Sequence, residues 1–226
     1  MRIDYCLPII KGAKADVLET IRNNDVEYSY FEVWLDYVDG VDEAFINQLV
    51  ELAGKKLVLL FRRQNLEPIN MPAEQRFDIL SQLDKTPVLV DLDITTQLAE
   101  LDYARGHNLT LKTIVSYHNY EQTPDSARLE AIIGTIGGYQ PDIYKLAALC
   151  GSSEDALRLL QQLLAFTAQD QAAIVLGMGE PGLVTRVFGA LWGNAMTFAP
   201  LIKQEQSAPG QLTRRQLEAV FKELGV

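Results

Sequence analysis

The stretch LKTIVSYHNYEQTPDSARLEAIIGTIGGYQPDIYKLA, residues 111–147, contains the unit from which this chain is built. An apolar, β-rich run at 111–117 is followed by a segment that starts at Thr123-Pro124 and carries apolar residues at helical spacing. A second apolar run covers residues 143–147. Short, continuous apolar runs are typical of parallel strands that are buried on both faces. The stretch therefore predicts a strand, a helix and a second, parallel strand.

The same alternation extends from one end of the chain to the other. Strands are predicted at residues 3–10, 28–35, 57–61, 87–92, 111–117, 143–147, 173–176 and 195–200. Helices are predicted at residues 16–21, 42–52, 73–83, 95–105, from 123 onward, 153–166, 183–191 and 213–224. Eight such units in 226 residues, with no internal linker, favour a closed (β/α)8 barrel that forms a single domain over residues 1–226. No G-x-G-x-x-G follows the first strand, which weakens the open dinucleotide-binding alternative.

Composition narrows the classes of partner. The formal net charge of -10 argues against binding to nucleic acid or to an anionic membrane surface. Two histidines and two cysteines, Cys6 and Cys150, show no metal-ligand spacing, and the cysteines are expected to be buried apolar residues. The N-terminal Met-Arg-Ile-Asp is not an apolar signal region, and no apolar run approaches the ~18 residues of a membrane span. These features predict a cytoplasmic protein.

Polar residues interrupt the apolar runs where strands end, and in a barrel of this type function lies at the carboxyl ends of the strands. The polar residues at these ends are Glu32 and Asp36, Arg62 and Arg63, Asp91 and Asp93, Ser116, His118, Lys145, Arg186, and Ser207 and Gln211. Because adjacent residues of a strand point to opposite sides, Arg62 and Arg63 cannot both face inward, and we favour Arg62 because it directly follows Phe61. The arrangement predicts one polar cavity.

Lys145 is the most informative of these residues. It lies between Tyr144 and Leu146 inside an apolar strand, where burial disfavours an ammonium group. We expect a lowered pKa and a free amine able to attack a ketone. A lone lysine at a strand end is more often a residue whose ammonium reaches solvent. His118 on the adjacent strand favours the reactive amine, because imidazole can move protons beside it near neutral pH.

Three further residues suit a carboxylate ligand. Arg186 can form two parallel hydrogen bonds to a carboxylate, and Ser207 and Gln211 can each donate one more. On its own, Arg186 could equally be a charged residue on a helix surface. The combination predicts a small anionic ketone as the bound molecule.

These motifs resemble the type I 3-dehydroquinate dehydratase family along nearly the whole chain. SYHNY at 116–120 with Thr123-Pro124 resembles its histidine motif, and DIYKLA at 142–147 is similar to its Schiff-base lysine motif. MGEPGLVTR at 178–186 and SAPGQ at 207–211 resemble its carboxylate-binding end.

The resemblance implies dehydration of 3-dehydroquinate to 3-dehydroshikimate in the shikimate pathway. Lys145 would form a Schiff base with the C3 ketone, and His118 would act as general acid and base. Arg186, Ser207 and Gln211 would hold the carboxylate, while Glu32 and Arg62 would meet the ring hydroxyls. The resemblance also implies a homodimer and a reaction that needs no metal or cofactor.

The chain departs from the family pattern on the hydroxyl-binding side. Strand two usually reads Glu-x-Arg-x-Asp, and here it reads EVWLD at 32–36, so that Trp34 stands in place of an arginine. After strand three, the usual Arg-x-x-x-Glu spacing holds only if Arg63 and Glu67 are the equivalents. Asn194 replaces the usual serine of a Phe-Gly-Ser stretch. The hypothesis that follows is retained chemistry with an altered substrate fit.

Two other functions stay open at this point. A different class I Schiff-base lyase, such as an aldolase for a sugar phosphate, would need a glycine-rich phosphate turn, for which Gly177-x-Gly179 is a faint candidate. A degenerate relative could serve as a binding or scaffold protein. Retention of both His118 and Lys145 argues against a scaffold, which has no need to bury a lysine beside a histidine.

Overall fold

The computed structural model describes residues 3–226, so the Met1-Arg2 part of the N-terminal stretch lies outside the described residues. Strands and helices alternate through this range. The strands are β1 (Tyr5–Ile9), β2 (Tyr30–Trp34), β3 (Leu57–Leu60), β4 (Leu89–Asp93), β5 (Lys112–Asn119), β6 (Ile143–Leu149), β7 (Ala173–Met178) and β8 (Thr197–Phe198). The helices are α1 (Lys14–Asn24), α2 (Glu43–Ala53), α3 (Ala73–Gln82), α4 (Leu98–Gly106), α5 (Ser126–Gly137), α6 (Ser153–Ala168), α7 (Leu183–Trp192) and α8 (Arg214–Leu224).

All eight predicted strand–helix units are present in residues 3–226. The strands are parallel and pair in the order β7-β6-β5-β4-β3-β2-β1-β8, which confirms the predicted (β/α)8 barrel. The strand ends differ from the prediction by up to two residues, and two of the differences affect the site or the closure of the barrel. β5 continues to Asn119, which places His118 inside the strand instead of after it, and β8 contains only Thr197 and Phe198.

The barrel closes between β7 and β8 through an unusual seam. Ala195 donates its backbone N–H to the carbonyl of Ala173 at 2.8 Å. Beside it, the Asn194 side chain accepts from the backbone N–H of Val175 at 2.7 Å and donates to the carbonyl of the same residue at 3.2 Å. A Cβ on Gly189 would lie 2.4 Å from the Asn194 amide nitrogen, so only glycine fits there. The asparagine amide thus supplies pairing that the short β8 does not.

Replacing Asn194 by alanine is expected to lower the free energy of unfolding by about 2 kcal/mol, because a buried backbone N–H and carbonyl of β7 lose their partners. Urea denaturation followed by circular dichroism measures the change. Asn23→Ala, on the exposed face of α1, is the matched control and should stay within about 0.5 kcal/mol of the parent protein. Equal stability of the two variants would contradict this role for Asn194.

The side chains inside the barrel form a dry floor beneath its carboxyl end. The residues of this floor are Cys6, Val58, Leu89, Ile114, Ile143, Ile174 and Met196, together with Ala147, Leu176 and Phe198. A larger apolar layer packs the outer faces of the strands against the helices. Cys6 and Cys150 are free and buried, as expected. Within residues 3–226, no helix has both the length and the apolar character that a bilayer crossing requires.

Candidate active site

A pocket that is partly open to solvent lies at the carboxyl end of the barrel above this floor. Every site residue that the sequence predicted lines it. The lining residues are Glu32, Trp34, Arg62, His118, Tyr120, Lys145, Ala147, Leu176, Met178, Arg186, Phe198, Ser207, Ala208 and Gln211. The alternation of strand residues explains the convergence, because side chains two residues apart point to the same side of a strand.

Lys145 lies at the bottom of the pocket and is 4% exposed. Its ammonium donates to Asp91 Oδ2 at 2.6 Å and to Glu32 Oε1 at 3.2 Å, and it lies 4.5 Å from the centre of the Phe198 ring. Two carboxylates and one aromatic face therefore surround the nitrogen. This is an environment that stabilises a positive charge at that atom.

The prediction of a lowered pKa for Lys145 was wrong. Burial alone lowers the pKa of this ammonium, but the charges of Asp91 and Glu32 outweigh burial and the pKa is raised above its usual value. The sequence argument considered only the loss of water around the lysine and left out the carboxylates that the fold brings to it. In the unliganded protein Lys145 is therefore an ammonium, and it must lose a proton before it can act as a nucleophile.

Asp91 joins the lysine to a second cation. The Arg62 guanidinium donates to both carboxylate oxygens of Asp91 at 3.3 Å, and Ser116 Oγ donates to Oδ1 at 2.6 Å. Burial alone raises the pKa of Asp91, but Arg62 and Lys145 hold it well below its usual range. Asp91 is thus the permanently ionised centre of a buried network.

The structure also distinguishes the two arginines that follow β3. Arg62 is 2% exposed and lines the pocket, as favoured from the sequence. Arg63 lies outside the pocket, where it pairs with Asp36 at 3.1 Å and stacks over the Tyr37 ring. Glu67 contacts Arg63 at 3.7 Å. The two residues that keep the Arg-x-x-x-Glu spacing are therefore not among those that line the pocket.

His118 is held by a carboxylate at the end of the neighbouring strand. Its Nδ1 donates to Asp93 Oδ2 at 2.7 Å, and the other oxygen of Asp93 accepts from the backbone N–H of Thr95 at 2.7 Å and from its hydroxyl. A proton fixed on Nδ1 leaves Nε2 as the free acceptor of the ring. Burial and the charge of Arg62 lower the pKa of His118 to about 4, against the opposing effect of Asp93. The imidazole is therefore neutral at pH 7.

This lowered pKa predicts how stability depends on pH. The unfolded chain binds a proton at His118 near pH 6.5, whereas the folded protein does so only near pH 4. Between these values the unfolded state holds more protons, so stability falls as pH falls, by about 3 kcal/mol in total. Urea unfolding at pH 7 and pH 4.5 should show that the free energy of unfolding falls less in His118→Gln than in the parent protein. The exposed His107→Gln should behave like the parent; a parent-like loss in His118→Gln would contradict the assignment.

Arg186, Ser207 and Gln211 line the pocket from the segments that follow β7 and β8. Arg186 belongs to the first turn of α7, is 3% exposed and donates to the Pro209 carbonyl at 3.1 Å, while its Nε has no hydrogen-bond partner within residues 3–226. Burial lowers the pKa of Arg186 to about 10, which leaves it charged at pH 7. Gln211 Nε2 donates to Ser207 Oγ at 2.8 Å and its Oε1 accepts from the Ser207 backbone N–H. This group can bind an anion.

Sequence reasoning did not select Asp91, Asp93 or Ser116 as site residues, although it placed all three at strand ends. The strand register places them beside Lys145. Asp93 of β4 lies next to Ser116 of β5, and Ser116 lies next to Lys145 of β6. The signal that could have found them is the alternation itself. Asp91 and Asp93 are two residues apart on an apolar strand, so both must face inward if one does.

Comparison with known proteins agrees with these observations. The family model described as Type I 3-dehydroquinase matches residues 5–226. The chain belongs to this family. A 3-dehydroquinate dehydratase from Methanococcus maripaludis strain C7 is 27% identical over 97% of this chain and 99% of its own length. Another from Geobacillus thermodenitrificans is 27% identical over 96% of this chain and 88% of its own length.

A solved structure gives the same result for the fold. The 3-dehydroquinate dehydratase of Geobacillus kaustophilus HTA426 superposes with a TM-score of 0.82 at 25% identity, covering 100% of this chain and 92% of that one. The type I 3-dehydroquinase family is a family of hydro-lyases with a (β/α)8 barrel, and membership in it confirms the resemblance inferred from the motifs.

Proposed function

We propose that this protein is a 3-dehydroquinate dehydratase that works through a Schiff base on Lys145. The observation that carries the proposal is the pairing of a buried lysine, bracketed by Asp91 and Glu32, with a neutral histidine in one pocket. Family membership supplies the substrate, since the relatives are named 3-dehydroquinate dehydratases. The whole chain would act as one catalytic barrel domain in the shikimate pathway.

Lys145 would pass a proton to His118 and attack the C3 ketone, and the carbonyl oxygen would take that proton and a second one from the nitrogen and leave as water. The resulting iminium carries the same positive charge as the ammonium that it replaces. Asp91 at 2.6 Å and Glu32 at 3.2 Å would therefore stabilise the iminium as they stabilise the ammonium. The carboxylates that raise the pKa of the free lysine thus favour the covalent intermediate.

His118 would move the protons. Its free Nε2 would take the C2 proton that the iminium makes acidic, and the resulting imidazolium would give a proton to the C1 hydroxyl as it leaves as water. Asp93 would stabilise this imidazolium and keep the ring oriented. Hydrolysis of the product imine would then release 3-dehydroshikimate and restore Lys145. Each proton removed at C2 is returned at C1, so the elimination itself needs no other acid or base.

The substrate carboxylate would bind to Arg186, Ser207 and Gln211. Arg186 supports this role because it is buried and charged, and its Nε lacks a partner in the described residues. Arg62 and Glu32 would contact the ring hydroxyls. No metal or cofactor enters this scheme.

The glycine turn that a sugar-phosphate aldolase would use is packed against another loop. A Cβ on Gly210 would lie 3.0 Å from the carbonyl oxygen of Gly179, which itself has a positive φ of 79°. This close approach of the β7 and β8 loops favours the dehydratase over the aldolase.

A homodimer is also part of the proposal. The neighbouring helices α6 and α7 expose five large apolar side chains, which offer a surface for a second copy. These side chains are Leu157, Leu164, Val184, Phe188 and Trp192. Sedimentation velocity should give twice the chain mass, and a monomer at micromolar concentration would contradict the dimer. The cytoplasmic location stays a prediction.

The direct test of the function is turnover of 3-dehydroquinate, measured by the ultraviolet absorbance of the conjugated enone product. The expected result is an absorbance rise that depends on enzyme concentration and is lost in His118→Ala. Absence of any rise in the folded protein would contradict the proposal. Borohydride trapping with a set of other ketones would then distinguish the two alternatives. Another Schiff-base lyase would form an adduct with a different ketone, and a scaffold protein would form an adduct with none.

A further inference from the structure

Trp34 occupies a place in the pocket where its indole contacts a charged group. It lies on β2 two residues after Glu32, so both side chains face the barrel interior. The indole is 3% exposed and its Nε1 donates to Glu32 Oε2 at 2.8 Å. The other oxygen of Glu32 accepts from Lys145 at 3.2 Å. A hydrogen-bonded chain therefore runs from the indole through the carboxylate to the lysine.

The two carboxylates beside Lys145 are held in different ways. Asp91 is fixed by Arg62 and Ser116, and it forms the shorter contact with the lysine, at 2.6 Å. Glu32 has a longer side chain with more rotatable bonds, and the indole N–H is the neutral donor that fixes its far oxygen. An indole N–H can only donate, so the contact imposes one orientation on the carboxylate.

The indole is itself fixed by its neighbours. The Arg62 guanidinium lies over the Trp34 ring at 5.7 Å, and the Tyr37 ring meets it edge-on at 6.1 Å between centroids. Rotation of the indole away from Glu32 would break both contacts. The orientation of Glu32 is therefore set by a rigid aromatic group.

We propose that Trp34 is a positioning residue that acts through Glu32 to speed imine formation at Lys145. The inference rests on the proposed function. The lysine ammonium gives up a proton and its nitrogen attacks the ketone carbon. The ketone oxygen takes that proton and a second one from the nitrogen, the C–O bond breaks, and the oxygen departs as water. The positive charge that remains on the nitrogen lies between Asp91 and Glu32. A fixed Glu32 presents its oxygen to that nitrogen throughout the step, whereas a free one must be reoriented each time.

The test compares Trp34→Phe with the parent protein. Phenylalanine keeps an aromatic ring in the pocket and removes the N–H donor. Samples are mixed with 3-dehydroquinate, trapped with borohydride at increasing times, and analysed by intact mass. We expect imine formation to slow by about tenfold, as suits the loss of a hydrogen bond to a charged group. The matched control is Trp192→Phe on α7, which makes the same change outside the pocket, keeps an aromatic ring on the proposed dimer surface and should trap at the parent rate.

A double-mutant cycle with Glu32→Gln separates positioning from a general disturbance of the pocket. If Trp34 acts through the carboxylate, Trp34→Phe should slow imine formation less than about twofold once Glu32 is replaced. A parent rate in Trp34→Phe, or a full tenfold loss that persists beside Glu32→Gln, would overturn the inference. These outcomes are distinct from a failure of the proposed function, in which the parent protein itself forms no adduct with 3-dehydroquinate.

Discussion

Replacing Lys145 by methionine is expected to lower turnover of 3-dehydroquinate by at least about 10^4-fold, because no other described residue that lines the pocket carries an amine for the covalent intermediate. Methionine has a similar length and no charge, so the change removes the nucleophile with little change in volume. It also leaves Glu32 buried without its cation, while Asp91 keeps Arg62. The free energy of unfolding should therefore fall as well, by about 3 kcal/mol.

The control for this change is Lys112→Met at the start of β5. Lys112 is exposed and pairs with Asp142 at 2.7 Å, a surface contact worth at most about 1 kcal/mol. The activity of Lys112→Met should match that of the parent protein. Measurable turnover in Lys145→Met, above the background of the uncatalysed reaction and with the fold verified by circular dichroism, would contradict the assignment of the nucleophile.

Replacing Asp91 by asparagine should destabilise the fold by about 3 to 5 kcal/mol, because Arg62 and Lys145 then lose the carboxylate that they share. Loss of this charge also lowers the pKa of Lys145, since the charge of Asp91 raises it. The trapped adduct should therefore form at lower pH than in the parent protein. Turnover should nonetheless fall by about 10^2-fold, because the iminium has lost its nearest counter-ion.

Urea denaturation and the pH dependence of borohydride trapping measure these two effects. Asp102→Asn is the matched control, since Asp102 is exposed on α4 and pairs with Arg105 at 2.6 Å. It should change stability by less than about 1 kcal/mol and leave the trapping profile unchanged. A parent-like trapping profile in Asp91→Asn would show that Asp91 does not control the charge of Lys145.

The sequence was sufficient to predict the barrel, because the alternation of strands and helices is a local signal that repeats eight times. The sequence pattern did not predict how β7 and β8 are joined, because that connection depends on a side chain. The run at 195–200 predicted a six-residue strand, but β8 is limited to Thr197 and Phe198. The side-chain amide of Asn194 instead forms hydrogen bonds to the backbone of β7. Nothing in the pattern of apolar residues distinguishes an asparagine in a loop from one that joins two strands.

In the site, residue types were predictable and their charge states were not. Lys145 and His118 were expected at the pocket because the first interrupts an apolar strand and the second directly follows one, and both line it. The pKa of Lys145 was predicted in the wrong direction, since burial can be read from one strand whereas Asp91 and Glu32 come from two others. The same limit applies to His118, whose neutral state depends on burial and on the charge of Arg62 in the loop after β3.

The most direct test of the covalent mechanism is the site of borohydride trapping. The protein is mixed with 3-dehydroquinate and reduced, and the digested adduct is located by peptide mass spectrometry. We predict one modification per chain, at Lys145, and none in Lys145→Met. An adduct on a different lysine, or turnover of 3-dehydroquinate without any trapped adduct, would contradict the account.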